Sequence, residues 1–147
     1  MVQVRPIDDG DHARWRELFT AYGVFYETDF PASVLDGVWA WIRDPEHPLL
    51  CFVAVDDAGT IVGFAHVREQ PDTFTAGPGW YLDDLFTDPD ARGQGIGTAL
   101  IAAISEHAAR HGGGTLRWIT AADNERAQRV YDRVATRTTW VTYEKEI

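Results

Sequence analysis

Hydrophobic positions along this chain switch between two periods, and the switches mark its elements. Val2 to Ile7 reads as a strand, stopped by Asp8-Asp9-Gly10. From Asp11 to Tyr22, the residues Trp15, Leu18, Phe19 and Tyr22 recur at helical spacing and form one apolar stripe. After a loop over Phe25 to Pro31, Ser33 is placed to cap a second helix ending near Arg43, with Val34, Val38, Trp41 and Ile42 inward. Two apolar runs, Leu50 to Val55 and Thr60 to Arg68, flank Asp56-Asp57-Ala58-Gly59 and read as a hairpin. A turn-rich link from Pro71 to Pro78 leads to a strand over Gly79 to Thr87. A helix follows from Ile96 to His111 and is ended by Gly112-Gly113-Gly114. Leu116 to Thr120 reads as a strand, Asp123-Asn124 opens a helix, and Thr138 to Ile147 reads as a closing strand. The order predicts one α/β domain over residues 1–147, with helices layered on a mixed sheet.

The junction between Thr87 and Ile96 carries the first chemistry. Arg92-Gly93-Gln94-Gly95-Ile96-Gly97 joins a strand to a helix start. A helix start leaves N–H groups unpaired, and aligned peptide dipoles put partial positive charge there. Glycines let that backbone approach a phosphate closely. Two phosphate loops do not fit. A nucleoside-triphosphate loop needs Lys then Ser or Thr after its last glycine, but Thr98 follows Gly97 directly. A dinucleotide loop counted from Gly93 and Gly95 needs glycine at position 98, which is Thr98. What remains is Arg-x-x-Gly-x-Gly, made of Arg92, Gly95 and Gly97 after Asp88-Pro89. An ordinary glycine-rich turn is the alternative. Further on, Asn124, Ala127 and Tyr131 fall on one helix face, with Tyr131 about 10 Å along the axis from Asn124. Taken alone, these three are a cap, a packing alanine and an aromatic at the core's edge.

Together the two motifs resemble the GCN5-related N-acetyltransferase superfamily, whose members bind acetyl-coenzyme A. The resemblance spans nearly the whole chain. It implies a three-layer α/β (α+β mixed) fold: a central mixed twisted sheet of six to seven strands, splayed between the fourth and fifth, with helices on both faces. By resemblance, backbone groups of Leu85, Phe86 and Thr87 pair with the pantetheine arm, and amides of Gly93, Gln94, Gly95, Ile96, Gly97 and Thr98, with Arg92, hold the pyrophosphate. Asn124, Ala127 and Tyr131 flank the thiol, and Tyr131 matches the superfamily's general acid. The run Trp80-Tyr81-Leu82-Asp83-Asp84-Leu85-Phe86 is similar to the spermidine/spermine and yeast histone-and-polyamine acetyltransferase subgroup, where Glu stands at the position of Asp83. That implies direct attack by a primary amine in a ternary complex, with Asp83 as base through water and Asp84 structural or amine-orienting. Strand alternation puts these two on opposite faces. Asp for Glu shortens the reach by one methylene. Tyr22, Tyr26 and Glu27 lie where the first helices line the acceptor pocket. The subgroup implies a homodimer, with Trp140 to Tyr143 as candidate contact. Where many members have Gly-Phe after the acid Tyr, this chain has Val134-Ala135-Thr136, so the last turn differs.

Composition narrows the partners. The net charge of −10 argues against nucleic acid. Residues 1–91 hold seventeen acids against five bases, and residues 92–147 hold six against eight. The cofactor half is therefore the basic one, with Arg92, Arg126, Arg129 and Arg133 available to phosphates. The acidic half favours a small cationic acceptor such as a polyamine or amino acid, or serves only as a solvated surface. No apolar run is long enough to cross a membrane, and the lone Cys51, in an apolar strand, fits a reducing cytoplasm. His107 and His111 sit at i and i+4, but position 108 is Ala108 rather than the Glu of a zinc-protease helix, so no metal is expected. Protein or antibiotic amines remain alternative acceptors, as does a noncatalytic acyl-coenzyme A sensor.

Overall fold

A computed structural model describes residues 1–147. In chain order the elements are β1 (Gln3–Pro6), α1 (His12–Phe25), α2 (Ala32–Arg43), β2 (Leu49–Val55) and β3 (Ile61–Glu69). They continue with β4 (Trp80–Thr87), α3 (Ile96–Arg110), β5 (Leu116–Arg117) and α4 (Glu125–Val134). The strands form one sheet in the order β1-β2-β3-β4-β5. Pairing is antiparallel from β1 to β4 and parallel between β4 and β5.

The apolar runs of β2 and β3 are nearly continuous because both faces are covered. On one face Phe52, Ala54, Ala65, Val67, Trp80 and Leu82 pack under Leu100, Ile101 and Ile104 of α3. On the other, Cys51, Val53, Phe64 and Phe86 pack under Trp15, Leu18 and Phe19 of α1 and Leu35 of α2. Cys51 is a core residue, as its strand predicts, and burial pushes its thiol well above the usual range.

Four expectations need correction. The sheet has five strands, not six to seven. Thr138–Ile147 is exposed throughout and forms no strand. Its composition suits a strand, but a strand exists only where its N–H and C=O groups meet a ladder. No edge within the chain receives it. Helix α2 is also turned relative to expectation. Leu35, Val38, Trp39 and Ile42 face inward, while Val34 and Trp41 are exposed. Trp39 wins the inward place by stacking on His12 and meeting Trp15.

The fourth correction concerns β4. Its register against β3 runs His66↔Asp84 and then Val67↔Leu82, so Asp83 is an extra, bulged residue. The bulge cancels one alternation. Leu82 faces α3, and Asp83 and Asp84 both face the α1–α2 side.

Near the end of α1, Gly23 lets the chain fold back on the helix. Thr28 N–H donates to the Gly23 carbonyl, and a Cβ on Gly23 would stand 2.8 Å from both the Thr28 carbonyl oxygen and the Phe30 ring. Gly23→Ala is expected to cost about 1–3 kcal/mol, read as a lowered urea midpoint with unchanged slope.

Candidate active site

Strand β4 is hydrogen-bonded to β3 from end to end, but β5 meets it only at Trp80 and Tyr81. Beyond Tyr81 the two parallel strands part, and the β5-side edge of Leu85, Phe86 and Thr87 is free. Such an edge is a row of unpaired donors and acceptors that an extended ligand arm can complete. The turn after it is fixed firmly. The Asp88 N–H donates to the Val62 carbonyl, and the Asp88 carboxylate accepts from the Asp90 N–H and pairs with Arg14. The Asp90 amide, with help from Arg14 and against burial, holds the Asp88 carboxyl below the usual carboxylate range.

None of the backbone N–H groups from Arg92 to Thr98 has a hydrogen-bond partner in the protein. The first paired amide is Ala99, which donates to the Gly95 carbonyl at 3.0 Å. Gly93 and Gly95 have φ of 83° and 74°, the left-handed region, and an added Cβ at either meets no protein atom within 4 Å. Buried Ile96 anchors the turn, while Gly93, Gln94, Gly95 and Thr98 open to solvent. Unpaired amides on an open surface at the positive end of α3 fit a diphosphate. The Arg92 guanidinium lies over the Phe25 ring at 5.6 Å, and Arg92, Arg126, Arg129 and Arg133 make no ion pair.

Helix α4 carries the second motif on its half-buried face. The Asn124 side chain caps it, with Oδ1 accepting from the Ala127 N–H at 3.2 Å. Tyr131, two turns on, meets the Trp118 ring edge-on at 5.4 Å. Burial, with Tyr26 nearby, pushes the Tyr131 phenol up to about 12, so it is a neutral O–H donor at pH 7.

The acceptor side is built on β3 and β4. Arg68 Nε donates to both carboxylate oxygens of Asp83, at 2.9 and 3.2 Å, and the guanidinium lies over the Tyr81 ring. Asp84 Oδ2 is 2.8 Å from Nδ1 of His66, whose Nε2 accepts from the Trp15 indole N–H at 2.9 Å. Because Nε2 accepts, the ring is neutral and its proton sits on Nδ1, donating to Asp84. The Tyr22 hydroxyl faces Asp84, and burial first, then that carboxylate, push its phenol far above the usual range. Asp83, Asp84, His66 and Arg68 floor a cleft of about 490 Å³ walled by Phe19 and Trp41. Tyr22, Tyr26 and Glu27 do not line this cleft. Tyr26 packs on Tyr22 at 5.0 Å, on the side of Asp84 and Tyr131. Glu27 is exposed at the end of α1 with φ of 57° and makes no ion pair. A larger hollow, about 590 Å³ and lined by Pro71 to Gly77 with Glu69, lies apart from all of these groups.

His66 escaped the sequence reading. Between Ala65 and Val67 it is one polar residue in an apolar run, and only the register places it beside Asp84. His107 and His111 stack on each other at 4.1 Å, with His107 edge-on to Trp80 and Phe52. Burial, then His111, pushes His107 down.

A parted parallel strand pair that ends in unpaired amides, with a neutral phenol on α4, offers an extended, phosphate-bearing ligand a free strand edge and a set of open donors. The chain belongs to the acetyltransferase (GNAT) family, whose model matches residues 12–135. It is an acetyl-coenzyme A-dependent N-acetyltransferase with a mixed α/β GNAT fold. It is 30% identical to the D-amino-acid N-acetyltransferase HPA3 of Saccharomyces cerevisiae, over 98% of this chain and 90% of that protein. It is 27% identical to the L-ornithine N5-acetyltransferase NATA1 of Arabidopsis thaliana, over 63% of this chain and 40% of that protein. Among solved structures, AAC(6')-Iy in complex with a bisubstrate analog superposes with a TM-score of 0.86 at 22% identity, covering 100% of this chain and 99% of that one. No helix is long and apolar enough to cross a membrane.

Proposed function

We propose that the protein acetylates the primary amine of a small cationic acceptor, an amino acid or polyamine, by direct attack in a ternary complex. The observation that carries this reading is the bulge that turns both Asp83 and Asp84 onto the floor of one cleft. Two adjacent carboxylates attract an ammonium and offer a proton acceptor. Freeing a primary alkylamine of its proton at neutral pH costs about 4 kcal/mol if its pKa is about 10. Acetyl-coenzyme A supplies the activated acetyl group. The unpaired amides of Gly93 to Thr98 and Arg92 hold its diphosphate, the free edge of Leu85 to Thr87 orients the arm, and Asn124, Ala127 and Tyr131 flank the sulfur. Tyr131 gives its proton to the departing thiolate. Tyr22 and Tyr26 border the reacting centre, and Glu27 adds negative charge at the end of α1. The activities of the yeast and plant relatives support amino acids, and the Leu82-Asp83-Asp84-Leu85-Phe86 run supports polyamines. A cytoplasmic setting accords with the lone, buried Cys51. A homodimer formed through the exposed Trp140 to Tyr143 segment accords with its apolar surface.

The test is coenzyme A release from acetyl-coenzyme A in the presence of putrescine, ornithine, D- and L-alanine, kanamycin or a short peptide. Release is expected to rise at least about tenfold over background with a diamine or amino acid. Release driven by kanamycin or the peptide alone reassigns the acceptor. Tight acetyl-coenzyme A binding with no acceptor-dependent release favours a sensor.

A further inference from the structure

The acceptor cleft holds two carboxylates, and their surroundings differ. Both oxygens of Asp83 are engaged by Nε of Arg68, a cation at 2.9 and 3.2 Å. A proton taken there leaves that guanidinium facing a neutral carboxyl, at the loss of a charge-assisted contact. Asp84 has no such cation. At close hydrogen-bond distance it meets only neutral His66, on Oδ2, and the phenol of Tyr22 is the one other donor beside it, which leaves Oδ1 toward the cleft. Asp84 is partly open to solvent at the cleft floor, with 21% of its side chain exposed. It is also the carboxylate that faces the phenol of Tyr22, which in turn lies near Tyr131.

His66 is nearly sealed, 1% exposed, and packs against Phe19 and Phe64 at ring-centroid distances of 4.9 and 4.8 Å. Trp15, fully buried on α1, donates to its Nε2. The indole therefore fixes both the tautomer and the tilt of the imidazole, and the imidazole fixes Oδ2 of Asp84. A carboxylate clamped on one oxygen presents the other in one direction. This resembles a built acid–base device more than a buried polar residue satisfied by chance.

We propose that Asp84, rather than Asp83, takes the proton of the acceptor ammonium, and that His66, locked by Trp15, is the positioning residue that aims its free oxygen. The inference rests on the acetyl-transfer reading above. The ammonium gives one proton to Asp84 Oδ1, which passes it to solvent. The neutral nitrogen then bonds to the acetyl carbon as the carbon–sulfur bond breaks. Tyr131 protonates the thiolate, and the nitrogen's second proton restores Tyr131, so one proton is released per acetyl group moved. Asp83 holds the cleft's charge through Arg68 and assists amine binding.

The experiment compares Asp84→Asn with Asp83→Asn on two acceptors: the panel amine that the unaltered protein acetylates fastest, and phenylhydrazine, which is neutral at pH 7. For the alkylamine, Asp84→Asn is expected to lose at least about 100-fold in kcat, with acetyl-coenzyme A affinity kept by calorimetry. For phenylhydrazine, which has no proton to give up first, the loss shrinks to about tenfold or less. Asp83→Asn is expected to act mainly on KM, by similar factors with both acceptors. His66→Asn keeps an N–H near the place of Nδ1 and is expected to retain kcat within about fivefold, whereas His66→Leu loses about 20-fold or more at unchanged KM. If His66→Leu does not fold, His66→Asn and Trp15→Phe decide the positioning role. An Asp84→Asn loss that is equal for both acceptors, or an acceptor-dependent loss in Asp83→Asn instead, overturns the assignment. Absence of transfer by the unaltered protein sinks the underlying acetyl-transfer reading, a separate outcome.

Discussion

Tyr131→Phe is expected to lower kcat by about 10²–10³-fold while acetyl-coenzyme A binds as before. The substitution removes one oxygen and keeps the ring that packs on Trp118, so α4 keeps its seat. What the proposed mechanism loses is the proton delivered to the leaving thiolate. The pH dependence gives an independent check. An acid works while protonated, below its pKa, and burial with Tyr26 nearby places the Tyr131 phenol at about 12. Tyr131 thus contributes no alkaline fall in kcat between pH 7 and about pH 10, and its loss begins only as pH approaches 12. Steady-state rates with saturating amine, together with calorimetry on both proteins, separate the chemical step from binding. Turnover unchanged in the Phe variant removes Tyr131 from the mechanism.

Gly95→Val is expected to weaken acetyl-coenzyme A binding by about 10–100-fold. Each hydrogen bond to a charged group is worth about 1.5–3 kcal/mol, so misplacing even one amide of the loop accounts for that range. Gly95 has φ of 74°, where a β-branched residue is strained, and its Cβ would project into the open space before the unpaired amides. Strain alone must be separated from blocked access. Gly59, in the β2–β3 turn, has φ of 83° and equally open surroundings. Gly59→Val therefore carries a comparable backbone cost with no diphosphate to lose. Gly95→Val should reduce affinity and Gly59→Val should not, with similar falls in melting temperature. Equal affinities in the two variants would place the diphosphate elsewhere.

Much of the fold was legible because its signals are local. The stripe of Trp15, Leu18 and Phe19, the apolar runs of β2 and β3, and the Asp56–Gly59 turn each follow from spacing within a few residues. The loop at Arg92–Thr98 was legible for the same reason: left-handed backbone at Gly93 and Gly95 needs glycine, and glycine is visible in sequence. On α2 the expected stripe holds at Val38 and Ile42 and fails at Val34 and Trp41, because the sequence offers apolar residues on more than one face. The choice fell to Trp39 meeting His12 and Trp15, which belong to another element.

By itself, then, the sequence determined the order of elements from β1 to α4, the glycine turn at Arg92–Thr98, and the spacing that lines Asn124, Ala127 and Tyr131 along one helix face. These depend on backbone geometry that each short segment carries with it. Only tertiary structure decided that Asp83 and Asp84 share a face, since a bulge is a mismatch between two strands and neither strand encodes it alone. It likewise decided that His66 meets Trp15 and Asp84, residues 51 and 18 positions away. It also left Thr138–Ile147 outside the sheet, because a strand needs a partner edge as well as a suitable composition.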